Sequence, residues 1–595
     1  MLRPLADDEN ATFGLKRHYK FYNSTSASAE LREAGRISAS LVQEFETASV
    51  TRQDLRALVG AVIQRKENLD PEDQFYLEKK HAEFQRNRLG TSKRFTEIKK
   101  REQELLLAHR KSLNAPAAIS LTASELDGLP EDTLAELEIQ NGKLMLPLKK
   151  PHFETAMQWV KDGEVRKRIF IANDIRCPEN LPHLKELILL RDESANLLGY
   201  ENHVHFKMEE KMFKSQASVE EFMSDFQNRI QPIAKIEIDK LFALKKLALG
   251  DQITENENHL FTWDYAYYRN VLRQTESSFN EKAFSEYFEL DKSLEGMMAL
   301  FSQVFGMQFF KLSTDQYFKL GANIQVVWHD SVAVFTVWND DQLGGGFLGY
   351  LYLDLFPRPN KYNHAGHYGL GQGFLKPDGT RHYPSAVLVM NLHTPSPTKP
   401  CLLKAEEARS LFHELGHAIH NLVTNTRYAL MHATIARDFV EIPSIFLENF
   451  LWSHSVLKTI GSHYSYTSEA FLSLWEAQGV LERPPKELGD EQINRLIAAQ
   501  NTTPGISALQ ISSSSAFDMK IHSSSRAELE ALNLSETWNR MKAEITGLVG
   551  AEVLGEGWEW GHGCSRFGMF VRGYDAGSYS YVTLVLTVTV SNSDG

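Results

Sequence analysis

The stretch from Leu411 to Trp452, LFHELGHAIHNLVTNTRYALMHATIARDFVEIPSIFLENFLW, constrains this chain more than any other. Its apolar residues recur at helical spacing, and His413 and His417 stand four apart within it. Four residues on an α-helix is about 400° of rotation, so both imidazoles leave one face a turn apart. Two nitrogens so placed suit a tetrahedral zinc ion, which in a catalytic site takes three protein ligands and keeps one position open. Glu414 is offset by about 100° from His413, within reach of a metal-bound water without being a ligand. Glu441, in RDFVE, is the candidate third ligand. Asp438 to Glu441 reads as the capping-box start of a second helix, and Pro443 fits near such a start. Glu448, seven residues further along the same face, is the rival ligand, or else an acceptor for a ligand imidazole. His420 continues the face of His413 and His417 and is expected to be packed or solvent-facing, since the tetrahedral shell is already filled.

LFHELGHAIH followed by RDFVEIPSIFLEN resembles the signature of the thimet oligopeptidase family of zinc metallopeptidases. The resemblance implies that His413, His417 and Glu441 hold one zinc ion per chain and that Glu414 is the general base. It also implies a mainly α fold, with two helical domains flanking a deep substrate channel and a small β-sheet beside the zinc-binding helix. The gap from HELGH to the glutamate is one residue shorter than the common family spacing, and the loss falls in the loop around MHATIARDF. A second segment, WEWGHGCSRFGMFVRGYDAGSYSY from Trp558 to Tyr581, resembles the family motif GYDAxYYxY. In the family, its tyrosines and a preceding histidine stabilise the oxyanion of the tetrahedral intermediate. Tyr574 and Tyr581 match those tyrosines, and Tyr579 is retained beside them as a substrate-binding candidate. Met569 stands where the histidine is expected and Ser578 where a tyrosine usually stands; His562 is a candidate substitute for the imidazole. His364 falls where the family carries a histidine in a Tyr-x-His-Ala context, and is assigned to substrate binding.

Around these motifs the chain divides by composition. Residues 1–295 read as helix after helix, the N-terminal wall of the expected channel; 296–581 form the catalytic domain, and 582–595 an atypical tail. Charged Thr91 to Ser112 reads as part of a solvated antiparallel helix pair, because acids are interspersed among its bases. Val326 to Asp341 and YLYLDL alternate as strands do, and Ser385 to Leu403 reads as a strand followed by a proline-rich connection. The glycines of Gly366 to Gly373 are expected in a flexible loop over a cleft; no GK[ST] follows to make it a phosphate loop, and His364 with His367 lacks the setting of a metal pair. VTLVLTVTV, from Val582 to Val590, resembles nothing in the family and has the composition of an aggregation-prone strand, as a truncated or misread C-terminus would leave.

The net charge of −13 gives no basic footprint for nucleic acid or an anionic membrane. Three scattered cysteines make neither a disulfide framework nor a thiolate metal site. No apolar run reaches the length of a membrane span, and the N-terminus lacks the apolar core of a signal peptide. The expectation is a cytoplasmic monomer, or a mitochondrial one if a leader precedes this sequence, acting on short peptides as a zinc metalloendopeptidase. A catalytically impaired peptide-binding homologue is the alternative, motivated by Met569 and Ser578. A zinc-stabilised scaffold is disfavoured, since structural zinc sites usually have four protein ligands.

Overall fold

The computed structural model describes residues 2–87, 93–250, 254, 258–277, 280–313, 315–317, 327–362, 364–396, 400–433, 435–479, 482–500, 502–571 and 573–582. The chain is mainly helical. In order it includes α1 (Leu2–Thr25), α2 (Asn180–Leu197), α3 (His203–Met208), α4 (Gln216–Leu249), α5 (Leu290–Phe305), α6 (Ala405–Val423), α7 (Ile442–Leu451) and α8 (Pro504–Ser523), with further helices between them. Local chemistry sets several ends. Ser215 Oγ caps the start of α4 by accepting from the Ser218 amide. Gly306 closes α5 in the left-handed conformation, at φ 62°, that a side chain disfavours.

Packing divides the chain into two units, and neither is contiguous. One comprises Met1–Thr91, Asn280–Ile435 and Val440–Asn494; the other comprises Ser92–Phe279, Ala436–Phe439 and Arg495–Gly595. The compositional boundary at 295 therefore does not follow the packed bodies. The first 91 residues join the unit that holds the HELGH helix, because Phe21 of α1 packs on the sheet of that unit.

In the second unit, β1 (Ala118–Leu121), β2 (Glu138–Gln140) and β3 (Lys143–Pro147) form an antiparallel sheet in the order β1-β3-β2, over a core that includes Met157, Ile169 and Trp263. The charged helix Lys93–Asn114 lies against α2, with Arg94 and Arg101 paired to Glu193 and Glu186. The sequence expectation pairs this helix with the one just before it in the chain; its partner here is instead the distant α2. At the centre, α8 packs on α4, burying Ile506 and Leu509 with Phe226, Ile230 and Val582. Val582 is thus a core residue; the rest of the expected tail strand lies outside the described residues.

The first unit is built on a five-stranded sheet of order β4-β5-β6-β10-β7. Its strands are β4 (Met307–Lys311), β5 (Ala333–Asn339), β6 (Phe347–Asp354), β7 (Gly366–Gly371) and β10 (Ser385–Val389), with a small ladder of β8 (Phe374–Leu375) and β9 (Arg381–His382) outside it. Within this sheet, among the described residues, only β6 and β10 run parallel. The glycine-rich stretch is therefore an edge strand, where a flexible loop is the sequence expectation. Small residues permit close neighbours there: a Cβ on Gly369 would lie 3.0 Å from Gln372 Nε2 and 3.2 Å from Asn421 Nδ2. Strand alternation gives the sheet two apolar faces. Val387 and Val389 pack with Phe21 of α1, and α6 lies along β6, β7 and β10.

Candidate active site

Leu411, Phe412, Leu415, Ala418, Ile419 and Leu422 are buried on α6, and Phe412 meets Phe301 of α5 edge to face at 5.7 Å. At the N-terminus of α6, the Glu407 carboxylate reaches back to the Lys404 amide at 2.8 Å. With the helix fixed in this way, His413 and His417 emerge together, half-buried, their Nε2 atoms 3.2 Å apart. Glu441 sits at the start of α7, its Oε2 3.3 Å from His413 Nε2 and 3.2 Å from His417 Nε2. These three atoms make a nearly equilateral triangle. A tetrahedral ion with ligands at about 2.0–2.1 Å requires edges of about 3.3 Å. The donor set could therefore hold a metal ion with little rearrangement, and it is the group of three His, Cys or acidic residues so arranged among the described residues.

The close approach of α7 to α6 depends on the glycine of HELGH. A Cβ on Gly416 would lie 2.6 Å from Ser444 Cα and 3.3 Å from Pro443 O. No side chain fits there without moving the backbone that carries Glu441. Glu448, two turns further along α7, turns to the other edge of the His413 ring and lies 2.5 Å from Nδ1. Accepting from Nδ1–H leaves the Nε2 lone pair of His413 directed at the triangle.

Burial opposes charge on His413, but its hydrogen bonds to Glu441 and Glu448 outweigh that and raise its pKa to about 10. Glu441 shows the converse: burial raises it, and the two imidazoles more than reverse this, holding the carboxyl well below its usual range. Without a metal, His413 is thus held protonated at neutral pH and must lose that proton to act as a ligand. Glu414 is buried, at 8 % exposure, and its pKa is raised, chiefly by desolvation. Its carboxylate accepts a hydrogen bond from the His367 backbone amide on β7. The His367 ring stacks near that of His417 at a 28° tilt, with centroids 6.0 Å apart. Burial, with the field of His417 next, pushes its pKa down to about 3, so it packs as a neutral ring. His367 carries no sequence signal for this role; the pairing of β7 with β10 places it.

The capping box expected from Asp438 to Glu441 does not form. Glu441 itself is the residue before α7, and no side chain caps it. Asp438 belongs to the second unit. There it accepts from the amides of Met212, at 2.9 Å, and Phe213, at 3.2 Å, and from the Tyr579 hydroxyl at 2.8 Å. Those partners lie far away in sequence, which is why a local motif suggested itself instead. Tyr579 is 0 % exposed with its hydroxyl committed to Asp438. The ring thereby anchors the turn that bears it.

That turn, 573–582, carries Tyr574 and Tyr581 half-buried with ring centroids 5.4 Å apart, and Arg437 lies 5.5 Å over the Tyr574 ring. Ser578 is buried, and its hydroxyl donates to Asp518 at 2.8 Å, so the departure from tyrosine is absorbed by the interior. Met569 accepts from the Tyr574 amide at 3.3 Å through its backbone oxygen. His562 pairs through Nδ1 with Ser535 Oγ at 2.8 Å. In the first unit, His364 is exposed beside Tyr362, and His420 is half-buried at the end of α6, as expected for a packed residue.

An imidazole pair with one carboxylate in a ligand triangle, and a second carboxylate buried alongside, is the arrangement of metal-dependent hydrolases. Residues 156–583 match the profile of Peptidase family M3, and the chain belongs to that family. Oligopeptidase PhomG of Diaporthe leptostromiformis is 34% identical to it, over 96% of this chain and 82% of the relative. Saccharolysin of Saccharomyces cerevisiae is 28% identical over 98% of this chain and 80% of its own. A thimet-like oligopeptidase of Dictyostelium discoideum is also 28% identical, over 94% and 81%.

Proposed function

We propose that this chain is a zinc-dependent endopeptidase that hydrolyses internal bonds of short peptides. The observation that carries the reading is the triangle of His413 Nε2, His417 Nε2 and Glu441 Oε2 with edges of 3.2–3.3 Å, beside a buried carboxylate that is not part of it. Those three residues would hold the ion. When bound, zinc supplies Lewis acidity, polarising a carbonyl and lowering the pKa of water.

The remaining roles belong to the chain's own groups. Glu414, kept basic by burial and oriented by the His367 amide, takes a proton from the attacking water and returns it to the departing amine nitrogen. Glu448 orients His413 through Nδ1. Tyr574 and Tyr581 donate to the carbonyl oxygen as it gains charge, each worth about 3 kcal/mol in a water-excluded site. His364 contacts the substrate. The restriction to short peptides is supported by the relatives named as oligopeptidases. The proposed working form is a monomer in the cytoplasm, in keeping with three free, buried cysteines. Among the described residues no helix is long and apolar enough to cross a membrane.

The test is hydrolysis of a quenched fluorescent peptide by the full chain, with chelator and with zinc restored. Cleavage that a chelator abolishes and zinc restores is the expected result. Peptide binding without cleavage in the zinc-loaded protein would replace this reading with that of a catalytically impaired binder.

A further inference from the structure

We propose that Asp518 is a positioning residue for this reaction: a buried carboxylate on α8 that shapes the turn bearing Tyr574 and Tyr581. The inference rests on the donor role given to those tyrosines above. Asp518 is 0 % exposed and fully engaged. Its Oδ1 accepts from the Ala576 amide at 2.9 Å and lies 2.9 Å from His522 Nδ1. Its Oδ2 accepts from the Gly577 amide at 3.0 Å, the Ser578 amide at 3.1 Å and the Ser578 hydroxyl at 2.8 Å.

Three successive backbone amides converge on one side chain only if the backbone curls around it. Here the curl puts Ala576 at φ 51°, a left-handed conformation that non-glycine residues avoid and keep only when the surroundings impose it. The surroundings do so from both sides. Lys211, also buried, donates through Nζ to the Ala576 carbonyl, and the ammonium lies 5.5 Å from the centroid of the Tyr579 ring. Asp575, the neighbouring residue, is held by His203 Nε2 at 2.7 Å and Lys207 at 3.1 Å. A carboxylate thus grips the N–H groups of the turn while an ammonium grips its carbonyl. Nothing in the sequence marks Asp518, which stands 56 residues before Tyr574 in a serine-rich helix with no recognisable catalytic motif. Donors to a developing charge act only when held in place beforehand, so loss of this grip should lower kcat before it weakens substrate binding.

Asp518→Asn preserves shape but turns one acceptor oxygen into an NH2 group facing N–H donors. We would measure kcat and KM for a quenched fluorescent peptide with the zinc-loaded full chain as wild type, as Asp518→Asn, as the pair Tyr574→Phe with Tyr581→Phe, and as the triple variant. Asp518→Asn is expected to lower kcat at least about tenfold while KM moves less than about threefold, with zinc content unchanged. In the background lacking both tyrosine hydroxyls the same change should cost less than about twofold, since it then has nothing to position. Equal losses in both backgrounds would assign Asp518 a merely structural role and overturn the inference, as would an unchanged kcat in the first. If removing both tyrosine hydroxyls costs nothing, the reading of those tyrosines fails and takes this one with it. A tyrosine effect alongside a silent Asp518→Asn overturns this one alone. Should Asp518→Asn not fold, Ser578→Ala removes a single hydrogen bond to the same oxygen and takes its place in the cycle, with an expected loss of about threefold and the same criteria.

Discussion

Three carboxylates crowd one helix face and the start of the next, and their surroundings give them different work. Glu441 lies against two imidazoles and is held ionised; Glu414 is desolvated and held basic; Glu448 grips the far edge of the His413 ring. Glu414→Gln should therefore lower kcat by about a hundredfold to ten-thousandfold, the range for loss of a general base. Zinc should stay near one per chain; metal lost along with activity would make Glu414 a ligand. Glu441→Gln should weaken zinc binding further than Glu448→Gln does. The latter is expected to cost about tenfold to a hundredfold in affinity, as loss of an outer partner does. Competition with a fluorescent chelator measures both, and the reverse ranking would exchange their roles.

At the scale of elements, the site depends on how closely α7 approaches α6, and Gly416 sets that distance. Gly416→Ala forces a methyl group to within 2.6 Å of Ser444 Cα, and neither backbone can yield without carrying Glu441 along. We expect a loss of about 1–3 kcal/mol in stability from overpacking, together with weakened zinc binding. Thermal melts of metal-free and zinc-loaded protein separate the two, and a variant with native zinc affinity would show that α7 can shift harmlessly. The same elements show what a sequence can disclose. His413 and His417 were legible because a four-residue spacing is a local property of a helix. The strand alternation of β5 and β6 was legible for the same reason. Asp438 was misread because its real partners, Met212, Phe213 and Tyr579, are brought to it only by the fold. Gly366 to Gly371 suggested a loop because glycine usually signals one; its role as a close-packed edge strand depends on neighbours that no local pattern encodes.

The whole molecule keeps ionised carboxylates in both of its interiors. In the first unit Asp354, at 0 % exposure, faces desolvation that raises its pKa. Arg358, Lys361 and Trp328 outweigh it and leave the group below its usual range. Asp575 and Asp518 are likewise lowered in the second unit despite burial, by Arg191, Lys207 and His203 at one and chiefly by His522 and Ser578 at the other. A carboxylate whose folded pKa is depressed contributes stability that is complete above its unfolded pKa of about 3.9 and is lost as pH falls from there through the folded value. Urea midpoints should thus begin to fall below about pH 6.5, where the unfolded chain takes up protons that buried rings such as His367 refuse, and drop steeply below about pH 4, where the carboxylates add their share. Asp354→Asn should already be less stable at pH 7 and should respond less to acid. A midpoint at pH 3 equal to that at pH 7 would contradict this account. The interleaving of the two units also bears on how the protein is made. Residues 92–279 leave the ribosome before Asn280, where the sheet-bearing part of the first unit begins. At about 5–20 residues per second that is a delay of about 10–40 s. Through that interval the newly made α1 has no sheet on which to bury Phe21, and the young N-terminal segment is a natural client for a holding chaperone.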